Sequence, residues 1–281
     1  MLKYLLIFYF LLLPMSAYAE LKVVASFSIL KDMVSAIGGD KISVVGIVGP
    51  DADAHTYSPT AQDSVKINKA DLVFINAMGF EGSIEKLIGS QNKNVVVASD
   101  GITPLKSIQG EIDPHAWHDP RNGLIYYKNI FQALSRALPK ERKFFEERYI
   151  TQTRKITLLY ESNKRFLKKN KIDSFVVLTS HDAFEYFGQA YEVKFIAPHS
   201  VSTESEPSAK DVANIISEIK QKRVQKIFLE NMADPRNLEM ITKDTGLKIS
   251  GSLCADALSL KIDGCKTYYE LLQSNFNKIF N

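Results

Sequence analysis

The 281-residue sequence has only two cysteines, Cys254 and Cys265, and a single tryptophan, Trp117. That scarcity excludes a small domain held together by a disulfide framework. An excess of one charge is also missing, since 35 Lys and Arg stand against 32 Asp and Glu, a net of +3. With no dense Lys/Arg block interleaved with aromatic residues, nucleic acid is not an expected partner. No apolar run reaches the roughly 20 residues that a bilayer span needs. The enzyme motifs HExxH and Gly-x-Ser-x-Gly and a phosphate-cradling glycine loop are absent as well. What remains, 45% hydrophobic and 24% charged residues, is ordinary folded composition, and the length is that of about two domains at roughly 150 residues each.

The N-terminus has the charged, apolar and cleavable order of a secretory signal: Lys3, an apolar run over residues 4–14, then Ala17-Tyr18-Ala19. Cleavage is expected after Ala19, with an uncleaved anchor as the alternative. No cysteine lies at that junction, so lipid attachment there is not expected, and the mature chain is expected to be soluble in a periplasm. Removal of Lys3 leaves 34 basic residues against 32 acidic ones. Export also favours a Cys254–Cys265 disulfide, which in so short a loop contributes about 3 kcal/mol by restricting the unfolded chain. Thiolate metal ligation is the alternative for this pair.

Short β-branched runs at 21–25, 42–48, 71–77 and 95–98 alternate with amphipathic stretches at 29–37, 61–69 and 82–87. Such alternation predicts crossover connections and a mostly parallel sheet. From 139 to 170 the texture changes. Phe144, Phe145, Tyr149, Ile156, Leu159, Tyr160 and Phe166 recur at helical spacing among Lys, Arg and Glu, with Pro139 in the first turn, which predicts one long helix with a solvated basic face. Strands at 175–178, 193–197, 226–229 and 248–253 then alternate with helices at 183–190, 210–221, 236–245 and 267–279. The expected fold is α/β: two lobes with mostly parallel sheets flanked by helices, 20–138 and 171–281, joined by the helix 139–170.

The five histidines are His55, His115, His118, His181 and His199. His55 follows the second strand, His115 lies between the fourth strand and the next helix, His181 follows the strand at 175–178, and Asp256 follows the strand ending at Leu253. In open parallel sheets ligands bind at the carboxyl ends of strands. If the two lobes face each other by those edges, His55, His115, His181 and Asp256 can converge on one cleft. Three imidazoles and a carboxylate suit a first-row divalent cation such as zinc or manganese. Taken singly, a loop histidine is more often a surface hydrogen-bonding group, and the spacing alone is weakly specific.

Several segments carry a family resemblance. Pro50-Asp51-Ala52-Asp53-Ala54-His55-Thr56-Tyr57-Ser58-Pro59-Thr60 resembles the first metal-ligand loop of the cluster A-I (cluster 9) solute-binding proteins of zinc and manganese ABC transporters. Asp113-Pro114-His115-Ala116-Trp117-His118-Asp119-Pro120 and Thr179-Ser180-His181-Asp182-Ala183-Phe184-Glu185-Tyr186-Phe187 resemble two further family segments, and Glu206-Pro207-Ser208 and Ala255-Asp256-Ala257-Leu258 two later ones. The resemblance implies two α/β lobes bridged by a long helix, metal ligation by His55, His115, His181 and Asp256, and delivery of the metal to an inner-membrane permease with its ATPase. It also implies a transport role with no chemistry of its own. Histidine at position 181 goes with zinc in that family. The long His-rich loop that many zinc members insert before the second ligand is missing, since only residues 108–112 precede Asp113.

His118 and His199 are read as non-ligands, and Glu230 as a hydrogen-bond acceptor for a ligand imidazole, with a helix-entry charge as its alternative. Trp117 is expected to pack beneath the His115 loop. The leading expectation is a monomeric zinc receptor, with a manganese or iron receptor on the same fold as alternative. A secreted zinc hydrolase using His115, His118 and Asp119 or Glu230 is the rival from another class. A receptor for a chelated solute, or an adhesin, is the third reading.

Overall fold

The computed structural model describes residues 20–90, 94–107, 110–172, 175–205 and 207–281. The expected signal segment, residues 108–109 of the short stretch before Asp113, and Glu206 lie outside the described residues.

The first lobe runs β1 (Leu21–Ala25), α1 (Ser28–Gly38), β2 (Ile42–Gly46), α2 (Ala61–Lys69), β3 (Leu72–Ile75), α3 (Ser83–Ser90) and β4 (Val95–Val97). Its sheet has the order β2-β1-β3-β4 and is parallel throughout. After β5 (Phe175–Leu178), α6 (Glu185–Tyr191), β6 (Val193–Ile196), α7 (Ala209–Lys222), β7 (Lys226–Glu230), α8 (Arg236–Thr245) and β8 (Gly251–Leu253), the second sheet repeats that order as β6-β5-β7-β8. The inner strands are continuous apolar runs such as Val73-Phe74-Ile75, all buried, because helices cover both faces of a parallel sheet. The expected two-lobe α/β architecture is therefore the observed one. Helix starts follow local chemistry: Thr60 with Asp63, and Ser208 with Asp211, form capping boxes at α2 and α7.

Between the lobes the chain forms α4 (Pro120–Ala137), a 3-10 turn at Pro139–Glu141, and α5 (Arg142–Asn170). Helix α4 falls where no helix bounds are expected from sequence, although Asp119 caps it and Pro120 sits in its first turn. At about 1.5 Å per residue α5 is about 44 Å long. Phe145, Ile156 and Leu159 enter the first lobe's core and Leu167 the second's, so the long helix joins both lobes.

A second strut runs beside it. In α9 (Tyr268–Phe280), Tyr268, Leu271 and Leu272 pack in the first core while Phe276 and Ile279 pack in the second. The preceding loop is closed by the Cys254–Cys265 disulfide, with a Cα–Cα distance of 6.6 Å, and both cysteines lie in the first core. Tyr268 donates through its hydroxyl to the Trp117 carbonyl at 2.7 Å. Glycine at position 123 leaves room for this passage, since a Cβ there would stand 2.4 Å from that hydroxyl oxygen and force it to shift.

Candidate metal centre

Strand ends deliver the four expected residues to the boundary between the lobes. His55 sits in the loop between β2 and α2, and its N–H donates to Asp53 Oδ1 at 2.8 Å. His115 opens the 3-10 turn Ala116–His118, with its N–H and its ring Nδ1 on Asp113 Oδ1 at 2.9 and 2.7 Å. His181 follows β5. Glu230, the last residue of β7, accepts from the Ser180 and His181 N–H groups at 2.8 and 3.0 Å and from the His181 ring Nδ1. Asp256 follows β8. His115, His181 and Asp256 are fully buried and His55 nearly so.

These Nδ1 contacts leave the Nε2 atoms of His115 and His181 aimed at a common point, the arrangement by which acceptors behind a ring fix the tautomer of a ligand. One donor atom from each of the four side chains lies within 4.8 Å of the others. His115 Nε2 is 3.2 Å from His55 Nε2 and 3.3 Å from His181 Nε2. The Asp256 carboxylate is 3.4 Å from His55, 3.4 Å from His115 and 3.2 Å from His181. Neither of its oxygens has a hydrogen-bond donor among the described residues. A buried carboxylate without donors is costly unless a cation balances it.

Electrostatics agree with that demand. Burial opposes charge on Asp256, but the neighbouring His181 and His115 imidazoles hold its carboxyl well below the usual carboxylate range. Burial likewise opposes charging of His181, and Glu230 and Asp256 overcome it, holding that ring well above the ordinary histidine range. Around the cluster, Phe80 lies edge-on to His55 at 4.9 Å, and Trp117 to His115 at 5.4 Å. Asp113 and Phe80 carry no assigned role in the sequence reading. The carboxylate two residues before His115 was the available signal for the former.

The other two histidines do not join the cluster. His118 is fully buried between Phe184 at 4.5 Å and Trp117 at 5.7 Å. Burial pushes its pKa down to about 3, so it is neutral. His199 Nδ1 donates to the Ser205 carbonyl at 3.2 Å, and its Nε2 accepts from Asn237 at 3.1 Å.

Residues 23–281 match the family of the zinc-uptake complex component A, periplasmic (ZnuA). The chain belongs to this family. Among relatives, the metal ABC transporter substrate-binding lipoprotein FimA of Streptococcus parasanguinis is 30% identical over 275 residues, 94% of this chain and 89% of that one. The manganese ABC transporter substrate-binding lipoprotein PsaA of Streptococcus pneumoniae is 30% identical over 276 residues, again 94% and 89%. Among solved structures, the periplasmic zinc binding protein TroA of Treponema pallidum superposes with a TM-score of 0.87 at 27% identity, covering 93% of this chain and 98% of that one. The Mn-bound periplasmic metal binding protein of Candidatus Liberibacter asiaticus gives a TM-score of 0.81 at 26% identity, covering 92% and 97%.

This ZnuA-family chain is thus an exported metal-binding component of an ABC transporter and not an enzyme. The hydrolase reading is set aside on local grounds too. Asp119 is taken up by the cap of α4 and by Arg121, with contacts of 2.7 to 3.0 Å. His118 lies between two aromatic rings, and Glu230 is committed to His181.

Proposed function

We propose that this ZnuA-family protein takes up a single Zn²⁺ as its transport substrate, held by His55, His115, His181 and Asp256, and passes it to a membrane permease driven by a separate ATPase. The observation that carries the reading is the set of donor separations. A regular tetrahedron with metal bonds of roughly 2.05 Å has edges of roughly 3.3 Å. Five separations among the donor atoms, taking both Asp256 oxygens, run from 3.2 to 3.4 Å, and one donor atom from each side chain lies within 4.8 Å of the others. Four protein donors saturate a tetrahedral ion, which fits carriage rather than hydrolysis, because catalytic zinc keeps a position open for water.

The protein acts in the periplasm as a monomer, released by cleavage after Ala19, and no helix among the described residues is long and apolar enough to cross a membrane. Asp113 and Glu230 hold the His115 and His181 rings for the ion. Manganese is the second reading, favoured by the name of the PsaA relatives. Because zinc outcompetes manganese at most imidazole–carboxylate sites whichever ion is carried, the deciding test is the ion found by elemental analysis in the protein isolated from cells grown with both metals at limiting, matched supply. Zinc supports the proposal, and manganese makes this a manganese receptor.

A further inference from the structure

Asp256 differs from His115 and His181 in how it is held. Asp113 and Glu230 stand behind those two rings, whereas neither oxygen of the Asp256 carboxylate has a hydrogen-bond donor among the described residues. Its place therefore has to come from the chain on either side of it. That chain must bring the carboxylate across a gap. In the second sheet β7 lies between β5, which leads to His181, and β8, which leads to Asp256. Neighbouring strands are about 4.8 Å apart, so β5 and β8 are separated by about 9.6 Å. The His181 Nε2 and Asp256 Oδ2 atoms are nonetheless 3.2 Å apart. The two side chains meet over the end of β7.

That end is Glu230 followed by Asn231. Glu230 serves the His181 side, accepting from the backbone N–H and the ring. Asn231 serves the other side. Its N–H donates to the Leu253 carbonyl at 3.1 Å. Its half-buried carboxamide accepts through Oδ1 from the Ala255 N–H at 3.2 Å and donates through Nδ2 to the Ala257 carbonyl at 3.0 Å and the Leu258 carbonyl at 3.4 Å. The residues before and after Asp256 are thus gripped by one planar group that accepts at one end and donates at the other, which fixes the rotation of the segment as well as its position. Further bonds to this segment come from other directions. Asn275 of α9 pairs with the Cys254 N–H and carbonyl at 3.0 and 2.7 Å, the Trp117 indole N–H donates to the Ala255 carbonyl at 3.1 Å, and the Leu258 N–H donates to Ser28 Oγ at 2.9 Å. Those contacts register the loop against α9 and the first lobe. Asn231 registers it against the strand whose last residue holds His181.

We propose that Asn231 is a positioning residue for the ion, setting together with Glu230 the separation between His181 and Asp256. This rests on the metal-centre reading above. A donor set works only when its members are held close to the geometry of the ion by the groups behind them, and for Asp256 the group behind is this carboxamide.

The test measures zinc affinity by chelator competition in the full mature chain with its disulfide intact. Asn231→Ala should bind zinc about 10- to 100-fold more weakly than the parent. Asn231→Leu, which keeps the side-chain volume and removes the same bonds, should lose about as much, with circular dichroism of the metal-free protein unchanged. The decisive comparison is a double-mutant cycle. Because Asn231 acts through Asp256, adding Asn231→Ala to Asp256→Ala should weaken zinc by no more than about twofold. A merely structural role would give the same loss in both backgrounds, and that result overturns the proposal. Parent affinity in Asn231→Leu, which would assign the effect to lost volume, overturns it as well. If the parent itself binds no zinc, the metal-centre reading has failed instead, and that is seen before any variant is compared.

Discussion

Glu230 and His181 form one unit: a single carboxylate accepts from the ring Nδ1 of His181, from its backbone N–H and from that of Ser180. One side chain from β7 thereby fixes the position, the rotation and the tautomer of His181, the proposed ligand that follows β5. Replacing Glu230 by Gln keeps the shape but puts a donor where three donors converge. Metal affinity should fall about 10- to 100-fold, the usual cost of losing a partner behind a ligand. Calorimetric titration checks this, and an affinity within a factor of two of the parent would contradict it.

Metal uptake should release protons. The folded, metal-free protein holds His181 charged at neutral pH, since Glu230 and Asp256 keep its pKa well above 6.5 despite burial. The ion needs that nitrogen free, so about one proton per ion should appear at pH 7, and affinity should fall steadily as pH drops from 7 to 5. His118, pushed down to about 3, contributes none. Titrations in buffers of different ionisation enthalpy count the protons, and a count of zero would contradict the assignment.

Stability of the metal-free protein should decline with rising pH. Glu81 is fully buried beneath β3, accepting from Ser26 Oγ at 2.7 Å, from the Ala77 N–H at 2.9 Å and from the Asn76 N–H. Burial raises its pKa from 4.5 to about 8 against those hydrogen bonds, with the charge of Glu85 adding to the rise. A folded-state pKa above the unfolded one means that the native state keeps a proton the unfolded chain sheds. The stabilisation is therefore complete below 4.5 and lost as pH climbs to about 8. Asp32, raised by burial to about 6, acts with the same sign over a lower window. Melting temperatures across pH 5 to 8 should fall less in Glu85→Gln than in the parent; equal slopes would refute the coupling.

Gly123→Ala should destabilise the protein despite the better helix propensity of alanine, which alone would add about 1 kcal/mol. The new methyl meets the Tyr268 hydroxyl at 2.4 Å, which must give up its bond to the Trp117 carbonyl. Overpacking of this kind costs about 1–3 kcal/mol. Chemical denaturation measures the sum, and a gain in stability would show that Tyr268 has room to move.

The strands and most helices are legible in the sequence because their apolar periodicity is local. The histidines and Asp256 stand out because each follows a strand, and parallel sheets gather such positions at one edge. Helix α4 has its start written in Asp119-Pro120, but Gly123 and the polar residues among its buried tyrosines blur the pattern. Helix α9 is expected from sequence at 267–279 and found at Tyr268–Phe280, but its role as a strut is not legible. Nothing in the spacing of Leu271, Leu272, Phe276 and Ile279 says that one helix face serves two cores. The acceptor role of Asp113 depends on how its loop folds back on the His115 ring, which is tertiary information.

The proposed centre holds one buried divalent ion on His55, His115, His181 and Asp256. Native mass spectrometry of the purified mature chain, with elemental analysis of the same sample, tests it most directly. One zinc equivalent per chain is expected in the parent, with strongly reduced retention in Asp256→Ala and His181→Ala, their folds intact by circular dichroism. A parent chain free of stoichiometric metal after incubation with Zn²⁺ and Mn²⁺, or variants that keep it undiminished, would contradict the claim.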